Sequence, residues 1–344
     1  ATQRLSARTR GVKGLGTVTG IISHLTSAVV FEAGALRNAW RWLQTADLIL
    51  AAGGGQLDAV WGGAWGQPYA LARWAWLARR AGVPLAFLSV GYGGTASGLS
   101  RRLIKYAVKR AAYCSVRDEG SRALTLKLGI DRTYAVVPDL AFSLCGKPPL
   151  PARRPGYDVG ISPMVYMRPD SWPNGSRAQY DRYLELWSDL VTRIVKRGNR
   201  VHLFVSDPTD MEAVREVCDR LDLETRASCT IARADSPDAL LEFYRGVDFV
   251  VSSRLHGVLL AIVAGRPVLA LSHERKVQAV MNDAGVSPFC IDLKTADITQ
   301  VTERLDHLTT QLGVCTNRLA AYAAAARSAV RSQEDLLPNL LRRQ

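Results

Sequence analysis

Arg254 and His256 stand two residues apart in Ser253-Arg254-Leu255-His256-Gly257, inside a stretch that is otherwise apolar. A guanidinium can offer a planar fork to a phosphate or carboxylate, and an imidazole moves a proton near neutral pH. Together they suit a clamp for a small anion. By residue type alone a plainer reading stays open, a surface arginine beside a satisfied, buried histidine. Further cations are Lys276, Arg168 and Arg117, and His273 and Glu274 lie just beyond the motif. Asp58 or Asp118 could supply a carboxylate base. Arg117 and Asp118 equally fit an ion pair, with Asp118 capping a helix that ends near Gly129. Gly53-Gly54-Gly55 and Gly91-Tyr92-Gly93 put glycines next to these groups. They are either tight turns or places where backbone N–H groups approach a sugar or phosphate.

The elements that must position these groups follow from apolar periodicity. Asp248 to Ser272 reads as strand, turn, helix, turn, strand: Phe249 to Val251, then Val258 to Ala264, with Gly265 as helix stop and Pro267 opening the next strand. Arg254 and His256 then fall at the carboxyl end of a strand, against the amino end of a helix. That is where open α/β sheets bind ligands and where a helix favours an anion.

The same alternation runs through the chain. Strands are expected at Asp47 to Ala52, Pro84 to Val90, Tyr113 to Val116 and Tyr134 to Val137, with helices at Gln67 to Ala81 and Leu99 to Ala112. A helix over Phe31 to Leu43 is Trp-rich, with Trp40 and Trp42 expected to pack. Cys145 to Gly156 holds four prolines and two glycines, so it reads as an interdomain linker. Beyond it, strands at Tyr157 to Ile161, Val201 to Val205, Thr230-Ile231 and Phe289 to Ile291 alternate with helices at Tyr180 to Arg197, after Ser236-Pro237, and at Lys276 to Ala284. Arg168 falls in the polar loop 162–176. Residues 298–337 read as helical. The expected division is 1–147 and 155–297 as two α/β domains, with 298–344 a helical tail. No Walker loop and no G-x-G-x-x-G spacing follows the first strand.

At 344 residues with 48% hydrophobic content, the chain can bury two cores. No apolar run approaches the roughly 18 to 20 residues needed to cross a bilayer. It starts at Ala1 without a cationic-then-apolar signal segment. Six scattered cysteines with no C-x-x-C pair fit reduced, cytosolic thiols and no zinc site. The net charge of +13 would suit an anionic substrate, or peripheral contact with an anionic membrane face. Nucleic acid is not expected, since no recognition signature accompanies the charge.

Several blocks occur in a fixed order: Ala46 to Gly55, Val90 to Gly93, Ser115 to Asp118 with Ser121, Leu128-Gly129-Ile130, Pro138 to Ala141, Ser253 to Gly257, and Glu274 to Val277. This ordered set resembles the polysaccharide pyruvyl transferase family, over about residues 46 to 292. That family's opening strand and Gly-Asn-x-Gly-Asp-like loop have no match, so the unit is expected before Ala1 or is missing. The resemblance implies two Rossmann-like domains of the glycosyltransferase-B type, the layout that the alternation and linker also indicate, with an extended helical C-terminus. It also implies transfer of the pyruvate unit of phosphoenolpyruvate onto two hydroxyls of a sugar, free or lipid-linked, with no cofactor and no metal. The family's donor-binding arginine and histidine map onto Arg254 and His256. The competing reading is a nucleotide-sugar-dependent glycosyltransferase. Such enzymes often carry two glutamates eight positions apart, and from Glu274 that position holds Asn282.

Overall fold

The computed structural model describes residues 32–60, 62–130, 134–144, 156–172, 174–234 and 236–341. The expected linker, apart from Gly156, and the Gly/Thr-rich basic stretch Thr9 to Gly20 lie outside these residues.

Two parallel sheets organise the described chain. Helix α1 (32–43) precedes β1 (Ile49–Ala52), α2 (Gln67–Ala81), β2 (Leu85–Val90), α3 (Gly98–Arg110), β3 (Tyr113–Val116), α4 (Glu119–Lys127) and β4 (Ala135–Val136). These four strands lie in sequence order, β1-β2-β3-β4. The second set is β5 (Asp158–Ser162), α5 (Arg177–Lys196), β6 (Arg200–Leu203), α6 (Met211–Cys218), α7 (Leu223–Ala227), β7 (Cys229–Ile231) and α8 (Pro237–Gly246). It continues with β8 (Phe249–Ser252), α9 (Leu255–Val263), β9 (Val268–Ser272), α10 (Arg275–Asp283) and β10 (Cys290–Asp292). Its sheet runs β10-β9-β8-β5-β6-β7. That is the doubly wound order, with its reversal between β5 and β8.

Apolar strands explain why both sheets are covered on two faces: β2 and β9 are buried at every residue. Local signals end the helices. Gly82, Gly265 and Gly285 follow α2, α9 and α10 with φ of 66°, 69° and 70°, a region costly for residues with a Cβ.

The C-terminal helices cross back. The expected single run 298–337 is broken at Gln311 into α11 (Ile298–Thr310) and α12 (Leu312–Glu334). Near its end, α12 delivers Gln333, only 2% exposed, to the N-terminal sheet. Gln333 Oε1 accepts from Ser115 Oγ and from Tyr113 Oη at 3.4 Å, and its Nε2 donates to Ser89 Oγ at 3.3 Å. Ser89 has φ 50° at an irregularity in the β2–β3 register, so the tail braces a kinked strand. Val137 and Phe142, which follow β4, join the core of the second sheet.

One packing expectation is overturned. Trp40 and Trp42 do not pack; they are 41% and 74% exposed, while Ala39 and Leu43 face α2 instead. A spacing of three and four residues places Leu36, Ala39 and Leu43 on one stripe, which leaves both indoles off it.

Candidate active site

Arg254 is the N-cap of α9, at the carboxyl end of β8 beside the reversal of strand order. Its fork is not free. Nε donates to Asp210 Oδ2 at 2.6 Å and Nη2 to Asp210 Oδ1 at 2.7 Å. Asp210 is fully buried and also accepts from the Val165 amide at 3.0 Å. One carboxylate thus ties the loop after β5, the start of α6 and the cap of α9. Among the described residues Nη1 of Arg254 has no partner, and a guanidinium can form paired bonds along more than one edge. Asp207 Oδ2 lies 3.9 Å from Nη2.

His256 sits in the first turn of α9 and is exposed. The surrounding protein lowers its pKa from the ordinary value, chiefly by displacing water. Arg117 and Lys276 add repulsion, while Asp139 and Asp207 oppose it. Those four groups come from both lobes. Lys276, in the first turn of α10, also has a lowered pKa. Burial is the main cause, with Arg117 and Arg254 repelling and Asp58 and Asp118 attracting it. Its Nζ lies 2.6 Å from Glu274 Oε2.

The N-terminal wall is Arg117, Asp118 and Asp139. Arg117 is 3.4 Å from Asp118 Oδ2 and from Asp139 Oδ2. A Cβ at Gly91 would come within 2.7 Å of the Arg117 guanidinium, which explains that glycine. Asp118 caps α4, accepting from the Ser121 amide at 2.6 Å. Asp58 Oδ1 accepts from the Gly93 amide at 2.7 Å and Thr95 Oγ1 at 3.1 Å, and its Oδ2 has no hydrogen bond among the described residues. Between the walls, the gap lined by Arg117, Asp139, Leu255, Lys276 and Asp283 and closed by Tyr322 of α12 encloses about 20 Å³.

Other candidates lie elsewhere. Tyr92 is 5% exposed and belongs to the N-terminal core, so its side chain does not reach the cleft. Arg168 pairs with Glu212 and approaches Glu216 at 3.7 Å, both on α6, and so answers acids there instead of offering a free cation. Gly53 and Gly54 adopt φ of 59° and 65°; the Gly53 amide donates to Leu88 O, and Gly54 O accepts from Gly91. These two glycines therefore bind the turn to the end of β2, while Gly55 approaches the Asp58 carboxylate. His273 is held between Tyr166 and Trp172, with ring centroids 5.0 and 5.2 Å away. Burial first, then Lys294 and Lys276, lower its pKa. A wider concavity of about 610 Å³ opens beside Tyr166, lined by Arg182, Glu185, Asp189 and Lys294. It contains none of Arg254, His256 and Lys276.

Sequence reasoning missed Asp210 and Asp139. Asp139 was visible in the Pro138 to Ala141 block. Asp210 had no signal beyond its place after Ser206-Asp207-Pro208, because its partner is 44 residues away.

A family model described as polysaccharide pyruvyl transferase matches residues 13–275. The chain belongs to this family. No curated protein matches the chain. Among solved structures, the Anabaena protein HepE in complex with UDP and glucose aligns with a TM-score of 0.56 at 14% identity. The match covers 88% of this pyruvyl transferase family chain and 80% of that one. A UDP-GlcNAc 2-epimerase from Methanocaldococcus jannaschii gives 0.53 at 9% identity, over 79% and 73%. An O-GlcNAc transferase mutant of Thermobaculum terrenum gives 0.42 at 17%, over 80% of this chain and 56% of its own. The fold is therefore that of glycosyltransferase-B proteins: α/β, with two parallel sheets and a helical C-terminus. Among the described residues no helix is long and apolar enough to cross a membrane, and no group of three or more His, Cys, Asp or Glu could hold a metal ion.

Proposed function

We propose that this chain transfers the pyruvate unit of phosphoenolpyruvate onto two hydroxyls of a sugar, free or lipid-linked, forming a cyclic ketal and releasing phosphate. The observation that carries this reading is the cluster at the switch point. Arg117 and Lys276 line the gap between the lobes, both repel a proton on His256 in the first turn of α9, and the α9 N-cap Arg254 repels one on Lys276. A donor bearing both a carboxylate and a phosphate needs several cations in one place, preferably beside a helix amino end.

In this reading Arg254 binds the phosphate or carboxylate through Nη1, while Asp210 holds the other edge. His256, neutral in the free protein at neutral pH, gains a proton when the dianion arrives and delivers it to the methylene carbon. The first sugar hydroxyl attacks the resulting cationic carbon and loses its proton. Phosphate then departs, and the second hydroxyl closes the ketal. One hydroxyl proton replaces that used on carbon, and the other leaves with phosphate. Asp58, with Oδ2 unbonded, is better placed as acceptor-side base than Asp118, whose oxygens meet Ser121 and Arg117.

The test is thermal melting with phosphoenolpyruvate or a UDP-sugar, followed by mass analysis of candidate glycans. Phosphoenolpyruvate should raise the Tm, and His256→Ala should lower turnover at least about a hundredfold with the fold intact. Arg254→Lys should weaken donor binding, because an ammonium cannot serve Asp210 and the donor with one plane. A shift with the UDP-sugar alone would favour a glycosyltransferase.

A further inference from the structure

Helices α1, α2 and α3 lie side by side on one flank of the N-terminal lobe, α1 against α2 through Ala39, Leu43, Leu77 and Ala81, and α2 against α3. Their sequences carry ten basic side chains and one acidic one, Glu32, which is already bound by Arg73 at 2.9 Å and Tyr69 at 2.8 Å. Eight of the ten bases are exposed. With a net charge of +13 for the whole chain, most of the excess sits on this flank.

The same flank exposes indoles. Trp42 and Trp65 are 74% and 73% exposed, and Trp40 and Trp76 are also open. Arg80 lies 5.3 Å from the Trp76 ring centroid, and Trp65 leans on Tyr69 at 5.6 Å. Exposed tryptophans cost hydration unless something covers them, and arginines without counter-charges seek anions. Indole rings settle at the headgroup level of a bilayer, and each nearby Lys or Arg adds attraction to anionic lipid. A single-stranded nucleic acid also takes basic and aromatic side chains, but it favours a groove or a sheet platform, whereas Trp40, Trp42 and Trp76 stand on helices and Trp65 on the turn before α2.

The turn Gly63–Trp65 leads into α2 shortly after Asp58, at the carboxyl edge of the N-terminal sheet. The Trp65 end of the flank therefore shares a sheet edge with Asp58, while Trp42, Arg79 and Arg80 lie toward the amino edge, where α1 leads into β1 and α2 into β2. We infer that α1, α2 and α3 dock this protein onto an anionic lipid surface, with Trp42 and Trp65 at headgroup depth and Arg37, Arg41, Arg79 and Arg80 over the phosphates. This inference does not depend on the identity of the donor.

The test is sedimentation of the full chain with phosphatidylglycerol/phosphatidylcholine vesicles, with pure phosphatidylcholine vesicles as the contrast. Binding should require phosphatidylglycerol and weaken as salt rises. Trp42→Ala with Trp65→Ala, and separately Arg37→Gln with Arg41→Gln, should each lower partitioning tenfold or more, with unchanged melting. Arg226→Gln on the other lobe should change nothing. No binding to the anionic vesicles, or binding insensitive to both pairs, would overturn the inference. So would binding of a single-stranded oligonucleotide but not vesicles, or a lipid-independent dimer lost in the tryptophan variant.

Discussion

Asp210→Asn tests the architecture of the site most directly. The carboxylate is fully buried and makes three contacts, two to Arg254 at 2.6 and 2.7 Å and one from the Val165 amide at 3.0 Å. The amide keeps the shape and one acceptor oxygen but loses the charge, and its NH2 group opposes a guanidinium edge that can only donate. Hydrogen bonds to charged groups contribute about 1.5–3 kcal/mol each, and breaking a buried pair from one side costs about 3–5 kcal/mol. Arg254 is 25% exposed, so water recovers part of this, and the expected loss is about 2–4 kcal/mol. Urea unfolding with an unchanged slope reads it. In an Arg254→Met background the same change should cost far less, because the isolated buried carboxylate is then itself the liability. The coupling across this cycle should reach about 2 kcal/mol. A coupling below about 0.5 kcal/mol would mean that the pair does not position Arg254, and the reasoning about its free edge would fall. Donor affinity should fall in Asp210→Asn even where the protein stays folded.

The remaining predictions concern neighbouring elements. Gly257→Ala would drive a Cβ into Ser252 Oγ and to 3.1 Å from its Cβ, so it should destabilise by about 1–3 kcal/mol, and Ser252→Ala should recover part of that; an unchanged urea midpoint would contradict the packing. Gln333→Ala leaves the Ser89, Ser115 and Tyr113 hydroxyls short of partners and should cost about 1–3 kcal/mol. A Tm indistinguishable from wild type would show that the tail does not brace the N-terminal sheet. The lowered pKa of His256 leaves it neutral above its titration in the free protein, and a bound dianion must raise that pKa. Donor binding near pH 7 should therefore take up a proton, read as different calorimetric heats in two buffers of unequal ionisation enthalpy. Equal heats, or uptake that persists in His256→Asn, would exclude His256 as the proton carrier.

The local code was legible because each signal acts within a few residues. Asp118 caps α4, Ser236 caps α8 with Pro237 in its first turn, and Gly82 stops α2. Runs such as Leu85–Val90 are apolar throughout because both faces of the sheet are covered. Arg254 and His256 were found because their polarity stands out against an apolar helix. Trp40 and Trp42 misled: a tryptophan on a helix is commonly packed, and only the neighbouring helix shows that Ala39 and Leu43 take the buried stripe.

By itself the sequence determined the alternation of strand and helix, the position of the motif at a strand's end and the family to which its ordered blocks belong. Tertiary structure alone decided that the Arg254 fork faces Asp210, that Arg168 is occupied by α6, and that Tyr92 lies in a core. It also brought Arg117 and Asp139 from one lobe to His256 and Lys276 of the other. The physical reason is range. Caps, turns and periodicity are fixed by neighbours along the chain. A charge chooses its partner by distance in space, and nothing at Asp210 says that the arginine 44 residues later will fold against it.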